Sequence, residues 1–188
     1  MKKEKNPSEG EKFIADYLKS ESIKFETEVK IMGLRNDPFK YRRADFFLTD
    51  LNVYIEFYGG WNNSKEERER YRAKKNAYHV NEIPCIYLYP ENLGIIDYTF
   101  SQRLTELLKK TGLTKKLFKY RFNRLKKDRG DLFIWFILAS IILIFGNYNL
   151  HEDKGFIFVV GGVLVYQLYR FYIGYNKFFK RTKHYSFN

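Results

Sequence analysis

The stretch that decides the fold is Arg42-Arg-Ala-Asp-Phe-Phe-Leu-Thr-Asp-Leu-Asn-Val-Tyr-Ile-Glu-Phe-Tyr58. Two runs rich in aromatic and β-branched residues flank Thr49-Asp-Leu-Asn52, which has the composition of a turn. This pattern predicts a β-hairpin. A hairpin that is symmetric about the turn places residue 46 opposite residue 55, and therefore Asp45 opposite Glu56.

Asp45 and Glu56 would then face each other directly across two strands. Like charges in that position destabilise a sheet, and two carboxylates in one site do not both ionise freely without a cation. A divalent cation would neutralise them, and Mg²⁺ commonly binds one or two carboxylates together with water and substrate phosphate. The alternative is an exposed pair that Arg42 or Arg43 neutralises at a sheet edge. A register slip of one residue would separate the carboxylates onto opposite faces.

A helix precedes the hairpin. Asn6-Pro-Ser-Glu9 is typical of a helix start with Asn6 as N-cap, and the helix is predicted to run to about Ser20. Its buried stripe is predicted from spacing: Phe13, Ile14, Tyr17 and Leu18. Glu11 lies on that stripe or at its edge, so its carboxylate either reaches water or meets a cation.

The remaining elements complete a layered domain. A strand is predicted over 24–32, a charged helix over about 64–80, a strand over 83–89 and a last helix over 91–111. Cys85 lies inside an apolar strand, which favours a buried, inert thiol. The order α-β-β-β-α-β-α predicts an α/β fold, in which helices flank a mixed sheet.

Four short motifs carry a family resemblance: Ser8-Glu-Gly-Glu11, Arg43-Ala-Asp-Phe-Phe-Leu48, Tyr54-Ile-Glu-Phe-Tyr-Gly59, and a helix bearing Lys74-Lys75. In this order, residues 7–108 resemble the PD-(D/E)XK superfamily of restriction-endonuclease-like nucleases. They are most similar to the branch with very-short-patch-repair-type and helicase-associated nucleases. The resemblance implies a restriction-endonuclease-like mixed sheet flanked by helices.

The resemblance also implies a metal-dependent active site. Asp45 and Glu56 would bind Mg²⁺ or Mn²⁺, with Glu11 completing or supporting the site and the backbone carbonyl of Phe57 as a further ligand. The lysine of the family motif is replaced by Tyr58 in this chain. Lys75 on the following helix is the preferred substitute.

Lys74 is the alternative to Lys75 as the missing motif lysine. If neither lysine points into the site, the domain would be an inactive phosphate-binding module.

The positive charge lies outside this domain. The 188-residue chain has 34 Lys+Arg and 22 Asp+Glu, a formal net charge of +12. Residues 1–108 contain 18 of each sign, residues 109–130 carry +9 and residues 131–188 carry +3. A basic chain suggests a polyanionic partner, but the excess does not come from the nuclease-like domain. A single Cys excludes a disulfide framework.

The C-terminal region is predicted to be an all-α transmembrane hairpin, with spans over about 132–150 and 155–173. Basic residues flank both spans, so the positive-inside rule places both termini in the cytoplasm, at the inner (plasma) membrane. Residues 114–128 are predicted to lie on the anionic inner leaflet as an amphipathic helix. The alternative is a buried helical hairpin of a soluble core, which is disfavoured because these segments are apolar on all faces.

Together these features predict three regions: a nuclease domain (1–108), a basic juxtamembrane helix (109–130) and a membrane hairpin (131–188). The expected function is a membrane-tethered endonuclease that cuts DNA at the cytoplasmic face, with a role in defence against phage or other foreign DNA. RNA stays open as the substrate, and a homo-oligomer or a partner defence protein is a further expectation. The alternative is an inactive nuclease-fold anchor that binds nucleic acid or a protein.

Overall fold

The computed structural model describes residues 6–128, 130, 134–135, 137–138, 140–141 and 154–180. It contains the predicted hairpin, in which β2 (Tyr41–Leu48) pairs antiparallel with β3 (Val53–Phe57). Residue 46 lies opposite residue 55, and residue 48 opposite residue 53, so the predicted register is confirmed. The turn includes Asn52 at a positive φ of 60°, a conformation that Asn tolerates better than most residues.

The hairpin lies inside a four-stranded mixed sheet. The strand order is β1-β2-β3-β4, where β1 is Phe25–Met32 and β4 is Cys85–Leu88. β1 pairs antiparallel with β2, whereas β4 pairs parallel with β3 after the crossover helix α2 (Lys65–Val80). Every residue of β3 and β4 is buried or half-buried, as expected for strands covered on both faces. The predicted α/β fold is confirmed for this domain.

Helix α1 (Glu9–Ser20) begins two residues later than predicted. Its N-cap is Ser8, whose hydroxyl accepts a hydrogen bond from the Glu11 amide at 3.3 Å, while Glu11 Oε2 accepts one from the Ser8 amide at 2.7 Å. This reciprocal capping box satisfies two backbone amides that would otherwise lack partners. The prediction of Asn6 as N-cap is therefore wrong.

The buried face of α1 is also narrower than predicted. Ile14 and Leu18 are fully buried, but the side chain of Phe13 is 49% exposed. Tyr17 is half-buried, its ring packs edge-on against Phe100, and its hydroxyl donates to Asp97. Phe100 and Asp97 belong to the last helix of the domain, α3 (Ile96–Lys110), so this contact joins that helix to α1.

The last helix of the domain is shorter than predicted. A 3-10 helix (Pro90–Ile95) comes first, and α3 (Ile96–Lys110) follows. Leu104 and Leu108 are fully buried on α3. Helix α3 packs against β4 and α1. Cys85 is a buried free cysteine, as expected.

Two further helices follow: α4 (Thr114–Asp128) and α5 (Lys154–Lys180). The chain divides into two compact units, Met1–Leu117 and Phe118–Asn188. The predicted first span, residues 132–150, lies largely outside the described residues, whereas residues 155–173 lie within α5. Within the described parts of the chain, no helix combines the length and the apolar character needed to cross a membrane.

Candidate active site

Asp45 lies where the sheet ladder is interrupted on both sides. The β1–β2 register omits the pair that would join Asp45 to Glu28, and Glu28 has a positive φ of 56°. On the other side the regular β2–β3 pairs end at Phe46, and Asp45 Oδ2 instead accepts a hydrogen bond from the Phe57 amide at 2.6 Å. Irregular ladder positions of this kind redirect side chains and are frequent next to active sites.

Glu56 is the most deeply buried carboxylate of the site, with only 1% of its surface exposed. Its Oε1 accepts a hydrogen bond from the Tyr78 hydroxyl at 2.8 Å, and its Oε2 accepts one from the Lys74 ammonium at 2.5 Å. The same ammonium donates to the Arg43 carbonyl at 2.7 Å. Helix α2 therefore supplies both side chains that hold Glu56 in place.

Burial makes both carboxylates reluctant to ionise. Desolvation raises the pKa of Asp45 to about 6, even though Lys74 and the Phe57 amide favour its charged form. Desolvation and the nearby Asp45 charge raise the pKa of Glu56 to about 7, again against the effect of Lys74. One ammonium does not offset the burial of two carboxylates. An additional cation would favour the ionised form of both.

The structure places Lys74, not Lys75, in this cluster. Lys75 points elsewhere: its ammonium lies 5.0 Å from the centre of the Tyr87 ring. The preference for Lys75 from sequence is therefore corrected to Lys74. Tyr58, which occupies the position of the motif lysine, is fully buried and has its ring stacked on that of Tyr71 with centroids 4.2 Å apart.

An aromatic cluster sets which side of α2 faces the sheet. This cluster was not predicted from the sequence. The Tyr71 ring contacts Tyr58 and Trp61, and its hydroxyl accepts a hydrogen bond from the Gly60 amide at 3.2 Å. Tyr71 lies three residues before Lys74, so the two share one side of the helix. The aromatic residues at the end of β3 and along α2 are the feature of the sequence that could have indicated this packing.

A cavity of about 660 Å³ opens above the two carboxylates. Glu11, Asp45, Glu56, Phe57 and Lys74 all line it, together with Glu28, Phe39, Lys40, Tyr41, Arg42, Arg43, Arg70 and Tyr71. The structure thus brings the predicted site residues together, with the exception of Lys75.

Glu11 and Phe57 both lie at the site, but their contacts there are not those expected of direct metal ligands. The Glu11 carboxylate takes part in the α1 capping box, although its negative charge contributes to the raised pKa of Asp45. Phe57 contacts Asp45 through its backbone amide. Among the described residues, no group of three or more His, Cys, Asp or Glu side chains is arranged to hold a metal ion.

The donor atoms of Asp45 and Glu56 are nevertheless of the kind that a hard divalent cation binds. Mg²⁺ is usually bound through one or two carboxylates plus waters and substrate phosphates. A carboxylate has about four lone-pair positions, so the hydrogen bonds that Asp45 and Glu56 accept leave acceptor positions on both. Carboxylate oxygens are hard donors, which suit such an ion better than a soft metal.

Comparison of the chain with known protein families, with curated proteins and with solved structures found no match in any of the three.

Proposed function

We propose that the chain is a metal-dependent endonuclease that hydrolyses phosphodiester bonds of DNA. The observation that carries this proposal is the cluster of Asp45, Glu56 and Lys74 on the floor of an open cleft. Its two carboxylates are buried and its single ammonium does not balance them. Residues of this kind lie together where an enzyme binds a cation and a phosphate.

Asp45 and Glu56 would hold Mg²⁺ or Mn²⁺ through their carboxylate oxygens. Bound there, such an ion would supply Lewis acidity toward a water and toward the phosphate oxygens. Tyr78 and the Phe57 amide fix the orientation of the two carboxylates through hydrogen bonds. Because both contacts come from regular elements, they keep the site preorganised.

Lys74 would stabilise the transition state. Its ammonium is held beside Glu56 by the Arg43 carbonyl, so it can place a positive charge next to a phosphate bound in the cleft. Such a group is most effective when its position is fixed before the reaction and water is partly excluded. The two hydrogen bonds of Lys74 fix the position of its ammonium. Its side chain is only 18% exposed, so water is partly excluded.

The membrane location is a second part of the proposal. The +9 charge of residues 109–130 and the apolar segments after it favour a tether at the cytoplasmic face of the inner membrane. A nuclease held there would have a high local concentration where foreign DNA enters the cell. Defence against phage or other incoming DNA is the role that this placement favours.

Tyr58 supports one alternative function. It occupies the position of the motif lysine and is committed to the aromatic cluster. A chain that had lost catalysis could still use the cleft as a membrane-anchored module that binds nucleic acid or a protein. The position of Lys74 favours the enzyme over this alternative.

The test is plasmid cleavage by the full-length protein with Mg²⁺ or Mn²⁺. We expect Asp45→Asn and Glu56→Gln each to lower the rate by about 10³-fold, because several kcal/mol of transition-state stabilisation depends on the ion. Lys74→Met should lower it by about 10²-fold. Lys75→Met is the matched control, and its rate should stay close to that of the wild type.

Two outcomes would contradict the proposal in different ways. Cleavage that is unaffected by the Asp45 and Glu56 substitutions would reject the site, and a larger loss with Lys75→Met than with Lys74→Met would reject the assigned lysine. Thermal unfolding of each variant is the control that separates lost chemistry from lost folding.

A further inference from the structure

Phe39 is an exposed aromatic residue at the rim of the catalytic cleft. It lies in the loop between β1 and β2, 58% of its surface is exposed, and it lines the same cavity as Asp45 and Glu56. An isolated exposed phenylalanine needs no explanation by itself. The position of Phe39 at the cleft and its support by the loop do need an explanation.

The loop holds the Phe39 ring in a fixed position. The Arg42 guanidinium lies over the ring at 4.2 Å from its centre. Arg42 is itself fixed by two hydrogen bonds to Asp37, at 2.6 Å and 2.9 Å. The Asp37 side chain is fully buried and also accepts a hydrogen bond from the Phe39 amide at 3.2 Å. An ion pair with two hydrogen bonds therefore supports an aromatic ring that stays largely in solvent.

The exposure of Phe39 contrasts with that of Tyr71, the other ring of the cleft that lies beside an arginine. The Tyr71 ring is stacked on Tyr58 and lies beside the Arg70 guanidinium, 5.2 Å from its centre. Tyr71 is thus committed to packing within the protein. Among the described aromatic residues that line the cleft, Phe39 is the exposed one, whereas Tyr41 and Tyr71 are half-buried.

The chemistry of the cleft indicates what would cover this ring. The charge of Arg42 is compensated by Asp37, that of Arg43 by Glu28. Arg42 and Arg43 are therefore committed to ion pairs within the protein, and an anionic lipid headgroup would gain little from either of them. A flat, uncharged ring system fits Phe39 better. Nucleic-acid bases stack on aromatic side chains in this way, and only unpaired bases expose a free face.

We propose that the cleft accepts a single-stranded or locally unpaired nucleic acid, with a base next to the scissile phosphate stacked on Phe39. This inference rests on the proposed nuclease function and narrows its substrate class. The preorganised ring lowers the entropic cost of binding a base.

The test measures binding without hydrolysis. Full-length protein carrying Asp45→Asn and Glu56→Gln is titrated into a labelled oligothymidylate, or into a labelled, fully paired duplex of two strands, and anisotropy is recorded. We expect Phe39→Ala to weaken binding of the single strand by about 10-fold or more and to leave duplex binding nearly unchanged. Phe39→Trp should restore single-strand binding. Phe13→Ala, which removes an exposed phenylalanine outside this cleft, is the matched control.

The possible outcomes separate this inference from the nuclease proposal. Equal single-strand affinity with and without Phe39, or no single-strand binding by the parent protein, would overturn the inference. Loss of binding to anionic vesicles on Phe39→Ala, with unchanged oligonucleotide binding, would also overturn it in favour of a lipid contact. Phe39-dependent binding in a protein whose unmutated form cuts no nucleic acid would uphold the inference and reject the nuclease.

Discussion

At the scale of single residues, the site is defined by the unequal balance between two carboxylates and one ammonium. Lys74 favours the charged forms of Asp45 and Glu56, yet burial still raises their pKa values to about 6 and about 7. Without a divalent cation, the folded protein therefore retains protons at a pH where the unfolded chain has released them. This difference links the stability of the domain to pH.

The sign of that dependence follows from the direction of the shifts. Both folded pKa values lie above the ordinary values of 3.8 and 4.5, so protonation stabilises the folded state. In EDTA, the free energy of unfolding should fall as the pH rises from about 4 to about 7, by an amount on the order of 2 kcal/mol or more. Mg²⁺ should restore stability most strongly at the upper end of this range.

Urea unfolding of a chain that ends at residue 128 measures this effect. Asp45→Asn should reduce the pH dependence, because the amide does not titrate and its loss of charge also relieves Glu56. Asp16→Asn, which changes a carboxylate that is 76% exposed on α1, should leave the dependence in place. A wild-type slope that persists in Asp45→Asn would show that other groups control it.

The residue pattern predicted the two carboxylates but not the lysine. Asp45 and Glu56 could be paired from the sequence because strand register follows from the turn and from alternation. Lys74 and Lys75 differ by about 100° around a helix, and nothing local distinguishes them. Which of the two lysines reaches Glu56 depends on how Tyr71 and Tyr78 pack α2 against the sheet. That packing is a tertiary property.

At the scale of secondary structure elements, the close approach of α1 to the sheet places Glu11 at the cleft. Gly10 makes this approach possible: a Cβ atom at that position would overlap the ring of Phe57, which is itself 8% exposed. Phe57 follows Glu56 directly, so the same contact supports the end of β3. A glycine inside a helix is otherwise unfavourable relative to alanine by about 0.5–1 kcal/mol.

Gly10→Ala tests whether packing or helix propensity dominates at this position. Overpacking typically costs about 1–3 kcal/mol, which exceeds the propensity gain, so we expect a net destabilisation of about 1 kcal/mol. The displaced helix should also lower the cleavage rate by moving Glu11. Gly94→Ala is the matched control, because open space surrounds a Cβ at that position. A more stable Gly10→Ala variant would show that the Phe57 ring moves aside freely.

The elements themselves were mostly predictable, and the errors have physical causes. Strands followed from apolar alternation, and α2 from its charged helical face. The N-cap of α1 was misplaced because Asn6-Pro7 competes with Ser8 as a start signal, and the reciprocal bond with Glu11 decides in favour of Ser8. Phe13 was predicted to be buried because its position on α1 matches the stripe. The width of the surface that covers a helix is not encoded in its own periodicity.

At the scale of the whole molecule, the excess positive charge lies in a different stretch of the sequence from the proposed active site. Residues 1–108 have no formal net charge, and residues 109–130 carry +9. Within that basic segment, α4 exposes Phe118 and Phe122, whose rings stack four residues apart. Basic and aromatic side chains on one exposed face of a helix are typical of attachment to an anionic membrane surface. Nucleic-acid affinity of the domain should therefore come from the cleft more than from net charge.

This arrangement predicts two separable modes of membrane attachment. A chain that ends at residue 128 retains α4 and should bind anionic membranes mainly through charge, at about 1 kcal/mol for each basic residue near the surface. Salt screens such contacts, so a high-salt wash should release it. The full-length chain also contains the proposed membrane hairpin, and it should stay in the membrane fraction until detergent is added.

Fractionation of cells that express each chain, followed by immunoblotting, distinguishes the two modes. Lys115→Glu with Lys126→Glu, placed in the shorter chain, should shift it to the supernatant even at low salt, because both lysines are exposed on α4. With the same two substitutions, the full-length chain should still require detergent for release from the membrane, since insertion of the apolar hairpin does not rely on α4. Release of the full-length chain by salt alone would reject the hairpin as a membrane anchor. It would instead favour a peripheral protein held by the basic helix.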